Sequence, residues 1–152
     1  MLYFCRKYYE SMNLNSILSD KKKHKITIAL DFDGTCVVHR YPSIGEDLPL
    51  CVKTLKKWIK KYNVGLILDT MRSDKELEDA IQWFKDKGIE LYGVGKNPTQ
   101  HKWTNSNKCH AMFSIDDRNV GAPIDENGSI DWKLLDDVFT PYLERVYEEM
   151  NE

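Results

Sequence analysis

The sequence predicts an α/β fold, a doubly wound parallel sheet with helices on both faces. Three features of its 152 residues point there. Short apolar, β-rich runs alternate with stretches whose apolar residues recur every three or four positions, the pattern of strands joined by crossover helices. Three of the runs stop at acids, Asp31 after the first, Asp69 after the second and Asp116-Asp117 after the last. Ligands of parallel sheets bind beyond the carboxyl ends of the strands, so polar residues at those ends are site candidates.

Taken in order, 26–30 (Ile-Thr-Ile-Ala-Leu) has the composition of a buried central strand. Cys36-Val37-Val38 and Tyr41-Pro42-Ser43-Ile44-Gly45 suggest a small hairpin or flap. Pro49 is placed to open a helix, with Glu46 and Asp47 near its positive end. Cys51, Leu55, Trp58, Ile59 and Tyr62 would form the buried stripe of that helix. The second strand, 64–68, ends at Asp69-Thr70. Ser73 and Glu76 make an S-x-x-E capping box for a helix carrying Leu77, Ile81 and Phe84, with Gly88 placed to end it. Further strands are expected at 89–92 and 111–115. Leu135, Phe139, Tyr142 and Val146 mark a C-terminal helix, with Pro141 as a source of kinking. Residues 1–24 form an N-terminal extension with apolar residues for one or two short helices, and 25–152 form the domain.

Composition matches an ordinary globular protein, with 41% hydrophobic and 30% charged residues. No apolar run approaches the roughly 18 residues that cross a bilayer, and the first twenty residues lack the apolar core of a secretion signal. A cytoplasmic protein without membrane partners is expected. Cys5, Cys36, Cys51 and Cys109 match no paired zinc spacing and are expected to be free thiols. Net charge is −2. Residues 1–25 carry six bases against two acids, and 116–152 carry eleven acids against three bases. The basic run at 21–25 has no interleaved aromatics and is weak evidence for a nucleic-acid partner.

The chemistry concentrates in Asp31-Phe32-Asp33-Gly34-Thr35, directly after the first strand. At about 4 Å, two unit charges repel by about 4 kcal/mol at an effective dielectric of about 20, a strain that a cation relieves. Hard oxygen donors favour magnesium. Gly34 permits a tight turn that brings backbone N–H groups towards an anion.

This segment resembles the first motif of the haloacid dehalogenase-like (HAD) phosphatase superfamily, whose domain is Rossmann-like. The resemblance implies that Asp31 is nucleophile and magnesium ligand. It implies that Asp33 is general acid and base, with its backbone carbonyl also on the metal. Thr70, within Thr70-Met71-Arg72, matches the second motif, whose hydroxyl holds a phosphoryl oxygen. Ser114-Ile115-Asp116-Asp117-Arg118-Asn119 matches the acidic fourth motif, making Asp116 and Asp117 metal-site acids. Lys96, Lys102 and Lys108 compete for the third; Lys108, eight residues before Asp116, has the spacing common in small members. Gly34, Thr35, Arg72 and Arg118 are the expected substrate contacts.

The resemblance spans 25–121, and the run Ile-Asp-Asp-Arg-Asn-Val-Gly is similar to that of short capless hydrolases of bacteria and phages. Asp69 departs from the family pattern, in which an apolar or neutral residue is usual. The intervals between motifs are too short for a cap domain. The implied activity is magnesium-dependent hydrolysis of a phosphomonoester through an aspartyl phosphate, on a small phosphorylated metabolite or nucleotide. The alternatives are a polynucleotide 3'-phosphatase and a non-catalytic phosphate- or partner-binding module. An open site suits a polynucleotide end, or a small substrate enclosed by a neighbouring subunit in a homo-oligomer. His39, Arg40, Tyr41, Arg72, Lys102, Trp103 and Arg118 are the residues from which specificity is expected.

Overall fold

Two fully buried five-residue strands, β1 (Ile26–Leu30) and β2 (Val64–Leu68), pair in parallel from Ile26↔Val64 to Leu30↔Leu68. Both match their expected positions, and their burial on every residue means that both sheet faces are covered. The computed structural model describes residues 26–152. The expected extension at 1–24, the basic run at 21–25 and Cys5 lie outside the described residues. The remaining strands are β3 (Gly93–Val94) and β4 (Phe113–Ile115), giving an all-parallel sheet of order β3-β2-β1-β4. The helices are α1 (Cys51–Tyr62), α2 (Asp74–Asp86) and α3 (Trp132–Asn151). This is the Rossmann-like, doubly wound α/β architecture that the sequence predicts. Flap, helices and loops fill the intervals between the described strands, with no cap domain among them.

Alternation along the strands divides the sheet into two faces. Ile26, Ile28, Leu30, Val64, Leu66 and Leu68 join one aromatic-rich core. There Trp58 of α1 meets Trp132 and Phe139 of α3, and Phe32 meets Trp83 and Phe84 around α2. On the opposite face lie Thr27, Ala29, Gly65 and Ile67, and a Cβ on Gly65 would stand 3.1 Å from the Tyr92 ring. Gly65 therefore lets that ring close on the strand.

Several local expectations are corrected. β3 lies at Gly93–Val94 rather than 89–92, although Tyr92 already donates its N–H to Leu66 O at 2.7 Å. Ile89 instead turns into the core directly after Gly88, whose φ of 69° closes α2 as expected. β4 begins at Phe113, two residues later than predicted. Ser73 makes no capping bond; its hydroxyl donates to Asp74 Oδ2 at 3.0 Å, because Asp74 turns left-handed at φ 49°. α1 starts at Cys51 behind a left-handed Leu50, with no acid in its first turn. Asp47 instead ties the flap to α2, accepting from Trp83 Nε1 at 2.8 Å and from Lys87. Burial on α2 centres on Ala80, Trp83 and Phe84, while Leu77 and Ile81 are only partly covered. The flap itself forms as expected, with Val37 bridged to Asp47 and Val38 N–H bonded to Glu46 O at 2.9 Å.

Candidate active site at the carboxyl edge

The chain order reverses between β1 and β4, so the carboxyl edge there is the switch point where such sheets bind ligands. The ladder continues one rung past the strands. Asp31 N–H donates to Ile115 O at 3.0 Å, and Asp69 N–H to Leu30 O at 2.9 Å. Asp31, Asp69 and Asp116 therefore leave the sheet at one level.

Asp31, Asp116 and Asp117 each offer a carboxylate oxygen, and these oxygens lie within 4.8 Å of one another. Burial raises the Asp31 carboxyl from 3.8 to about 7; the Phe32 amide and the Thr35 hydroxyl oppose the rise, and the charge of Asp116 and hydrogen bonding with the Asp117 side chain add to it. Asp117 is raised by burial and by Asp116, and Asp69 by burial and by Asp116. Such a set of part-buried acids is destabilised by its own charge and fits a hard divalent cation. Asp31, Asp116 and Asp117 are the side chains that could hold such a cation. The Asp33 carboxylate stands outside this set.

Thr35 occupies a different place from the expected substrate contact. It is fully buried, donates to Asp31 Oδ2 at 2.9 Å and accepts the Asp117 N–H at 3.1 Å. Its hydroxyl thus fixes two of the acids relative to each other. Gly34 has φ 76°, and a Cβ there would stand 2.6 Å from Asp117 Oδ2. Its role is therefore to admit Asp117 as well as to turn the chain. From the far end of the sequence, Ile130 N–H bonds Gly34 O at 2.9 Å and Trp132 Nε1–H bonds Thr35 O at 2.7 Å. Those two buttresses carry no signal that the sequence reasoning used.

Arg72 also departs from its expected role. It is 4% exposed, and every one of its five N–H groups has an acceptor. Nε and Nη2 form a bidentate pair with Asp33 at 2.7 Å each; Nη2 also donates to Ser43 O at 2.8 Å, and Nη1 to Pro42 O at 3.0 Å and Glu76 O at 3.5 Å. The guanidinium lies between the rings of Phe32 and Tyr41. Arg72 therefore clamps Asp33 to the flap, and in this arrangement all of its donors are engaged. Thr70 Oγ1 accepts the Arg72 N–H at 3.2 Å and remains half-exposed at the edge. Arg118 is exposed, its N–H bonded to Asp116 Oδ1 at 2.8 Å. Lys96, Lys102 and Lys108 are all exposed, and among the described residues none forms an ion pair with the acids. Cys36, Cys51 and Cys109 are free thiols, as expected, and the Cys36 thiol donates to Asp31 O at 3.4 Å.

Fold and site together define an α/β protein with a carboxylate-lined centre at the carboxyl edge of a parallel sheet. Among solved structures, a conserved protein from Bacteroides thetaiotaomicron is 40% identical, with a TM-score of 0.65, over 78% of this chain and 93% of that one. The chain belongs to the family of that conserved protein. Neither a family model nor a curated protein matches it. Among the described residues, no helix is long and apolar enough to cross a membrane.

Proposed function

We propose that the protein is a HAD-type, magnesium-dependent phosphomonoester hydrolase that works through an aspartyl phosphate on Asp31. The observation that carries this reading is the meeting of Asp31, Asp116 and Asp117 oxygens within 4.8 Å, from residues far apart in the sequence. A bound magnesium ion would neutralise phosphate charge so that a carboxylate can approach phosphorus. An Asp31 oxygen attacks phosphorus, the bond to the leaving oxygen breaks, and the leaving oxygen takes a proton from Asp33. Asp33 then takes a proton from water, which attacks the same phosphorus, releasing phosphate and regenerating the Asp31 carboxylate. Dividing one difficult displacement into two is the gain from covalent catalysis. Thr70 and Lys108 are assigned to the transferring oxygens, an electrostatic role.

The Arg72 clamp adds a condition to this scheme. Both oxygens of Asp33 are engaged by Arg72. Proton transfer at the leaving group therefore requires Asp33 to turn from that clamp, and the clamp returns it to a fixed position afterwards.

The test is Asp31→Asn, assayed on an aryl phosphate with magnesium. Hydrolysis is expected to vanish while the unfolding transition remains cooperative. Full activity in that variant would remove Asp31 as nucleophile, and wild-type turnover that survives a divalent chelator would remove the cation.

A further inference from the structure

We propose that the loop at 96–110 is a docking strip for a single-stranded nucleic-acid end, with Trp103 as the base-stacking platform and Lys96 and Lys102 supplying cations for its phosphates. This rests on the reading of the carboxylate centre as a phosphate-ester site.

The composition of the loop sets it apart from the rest of the chain. Its 15 residues hold three lysines, two histidines and a tryptophan without one acid, in a protein whose net charge is −2. Trp103 is 64% exposed, whereas Trp58, Trp83 and Trp132 are at most 7% exposed. An indole left in water on a loop is informative when the loop is rigidly built, and this one is. Gln100 is buried and bonds four backbone groups: its Oε1 accepts from Asn97 N and His110 N at 3.0 Å each, and its Nε2 donates to Lys108 O at 3.0 Å and Ser106 O at 3.3 Å. Asn97 Oδ1 adds bonds from Thr99 N and Oγ1. Trp103 stands edge-on to the exposed His110 ring at 5.1 Å. A polar network thus holds the loop in one shape and leaves an aromatic face outside.

Its placement joins it to the site. Gly95 N–H bonds Leu68 O at 2.7 Å, at the carboxyl end of β2. The strip therefore begins beside the acidic edge, and its far root returns to the sheet at Met112, whose N–H bonds Thr27 O at 3.1 Å. A polyanion whose terminal phosphate enters that edge is repelled by Asp69, Asp116 and Asp117, and flanking lysines offset the repulsion. Every base has a π-face for an indole, so this combination binds strands without reading their sequence. A small phosphorylated metabolite would need neither an indole nor cations distributed along a 15-residue loop.

The experiment titrates the full chain, in a chelator that stops turnover, with oligo(dT) and oligo(U) of about ten nucleotides, the size range of one such site. Quenching of intrinsic fluorescence reports Trp103, and anisotropy of a labelled strand reports binding independently. Trp103→Ala is expected to weaken binding about fivefold or more, and Trp103→Phe to restore most of it. Lys102→Gln is expected to lower the slope of log affinity against log salt by about 0.7. The stronger of the two oligonucleotides identifies DNA or RNA as the strand. No binding at about 50 mM salt, or equal binding by Trp103→Ala, would overturn the proposal. So would quenching that follows only the protein's own concentration, which would assign the surface to a second copy. Strand binding without hydrolysis of any phosphomonoester would sink the phosphatase reading and leave the strip standing; hydrolysis without strand binding would do the reverse.

Discussion

Arg72→Met keeps most of the side chain's volume while deleting its charge and all five N–H groups. The Asp33 side chain, 12% exposed, then becomes a charge with neither a partner nor full hydration, and the Pro42 and Ser43 carbonyls lose their donors. Opposite charges about 4 Å apart attract by about 4 kcal/mol at an effective dielectric of about 20. Breaking a buried pair from one side costs about 3–5 kcal/mol, in agreement with that figure. Urea unfolding should therefore show a loss of about 3–5 kcal/mol, read as a lower midpoint at unchanged slope. Adding Asp33→Asn should cost less than the sum of the single changes, with a coupling of at least about 1.5 kcal/mol. Limited proteolysis should cut the flap at 38–47 faster in the single Arg72 variant. A loss below about 1 kcal/mol with additive energies would refute the clamp, and Arg72 would return to the pool of substrate contacts.

Gly34→Ala forces a Cβ into φ 76° and to 2.6 Å from Asp117 Oδ2. The backbone alone should cost about 1–2 kcal/mol, and displacement of Asp117 should weaken binding of magnesium at the proposed site by calorimetry; unchanged affinity would separate Gly34 from the carboxylate cluster. Asp47 illustrates a pH effect of defined sign: burial works against its charge, yet Lys87 and Trp83 hold its carboxyl below the usual value. Its contribution to stability is therefore present above about pH 4 and lost as pH falls through the lowered pKa. Asp47→Asn should flatten the acid limb of the unfolding midpoint, and an unchanged limb would dismiss the flap-to-α2 tie.

The sequence made β1 and β2 legible to the residue, because buried parallel strands are apolar throughout and polar residues end them abruptly. β3 was hidden for the opposite reason. Its pairing falls on Gly93–Val94, and a Cβ on Gly93 would stand 2.6 Å from Lys96 O, so close approach chose a residue with no strand propensity. The acids of the centre were legible as strand-end residues. The roles of Thr35 and Arg72 were not, since each depends on partners supplied by distant segments. One signal for Arg72 was nonetheless available: once Leu30 is set opposite Leu68, residues 33 and 72 lie three and four positions past the same level. An arginine and an aspartate that near, at a crowded edge, are a natural ion pair.

The bond from Trp132 to Thr35 O spans 97 positions and ties the last helix to the loop that presents Asp31. α3 places no acid among the three that converge at the edge, yet the geometry of that edge depends on it. Shortening the protein ahead of residue 132 would remove the indole donor and one wall of the core, and the acids would lose their common frame. Attaching a tag or partner beyond residue 152 leaves that joint intact. The helix works as a keystone: its value to the chemistry lies in what it keeps from moving.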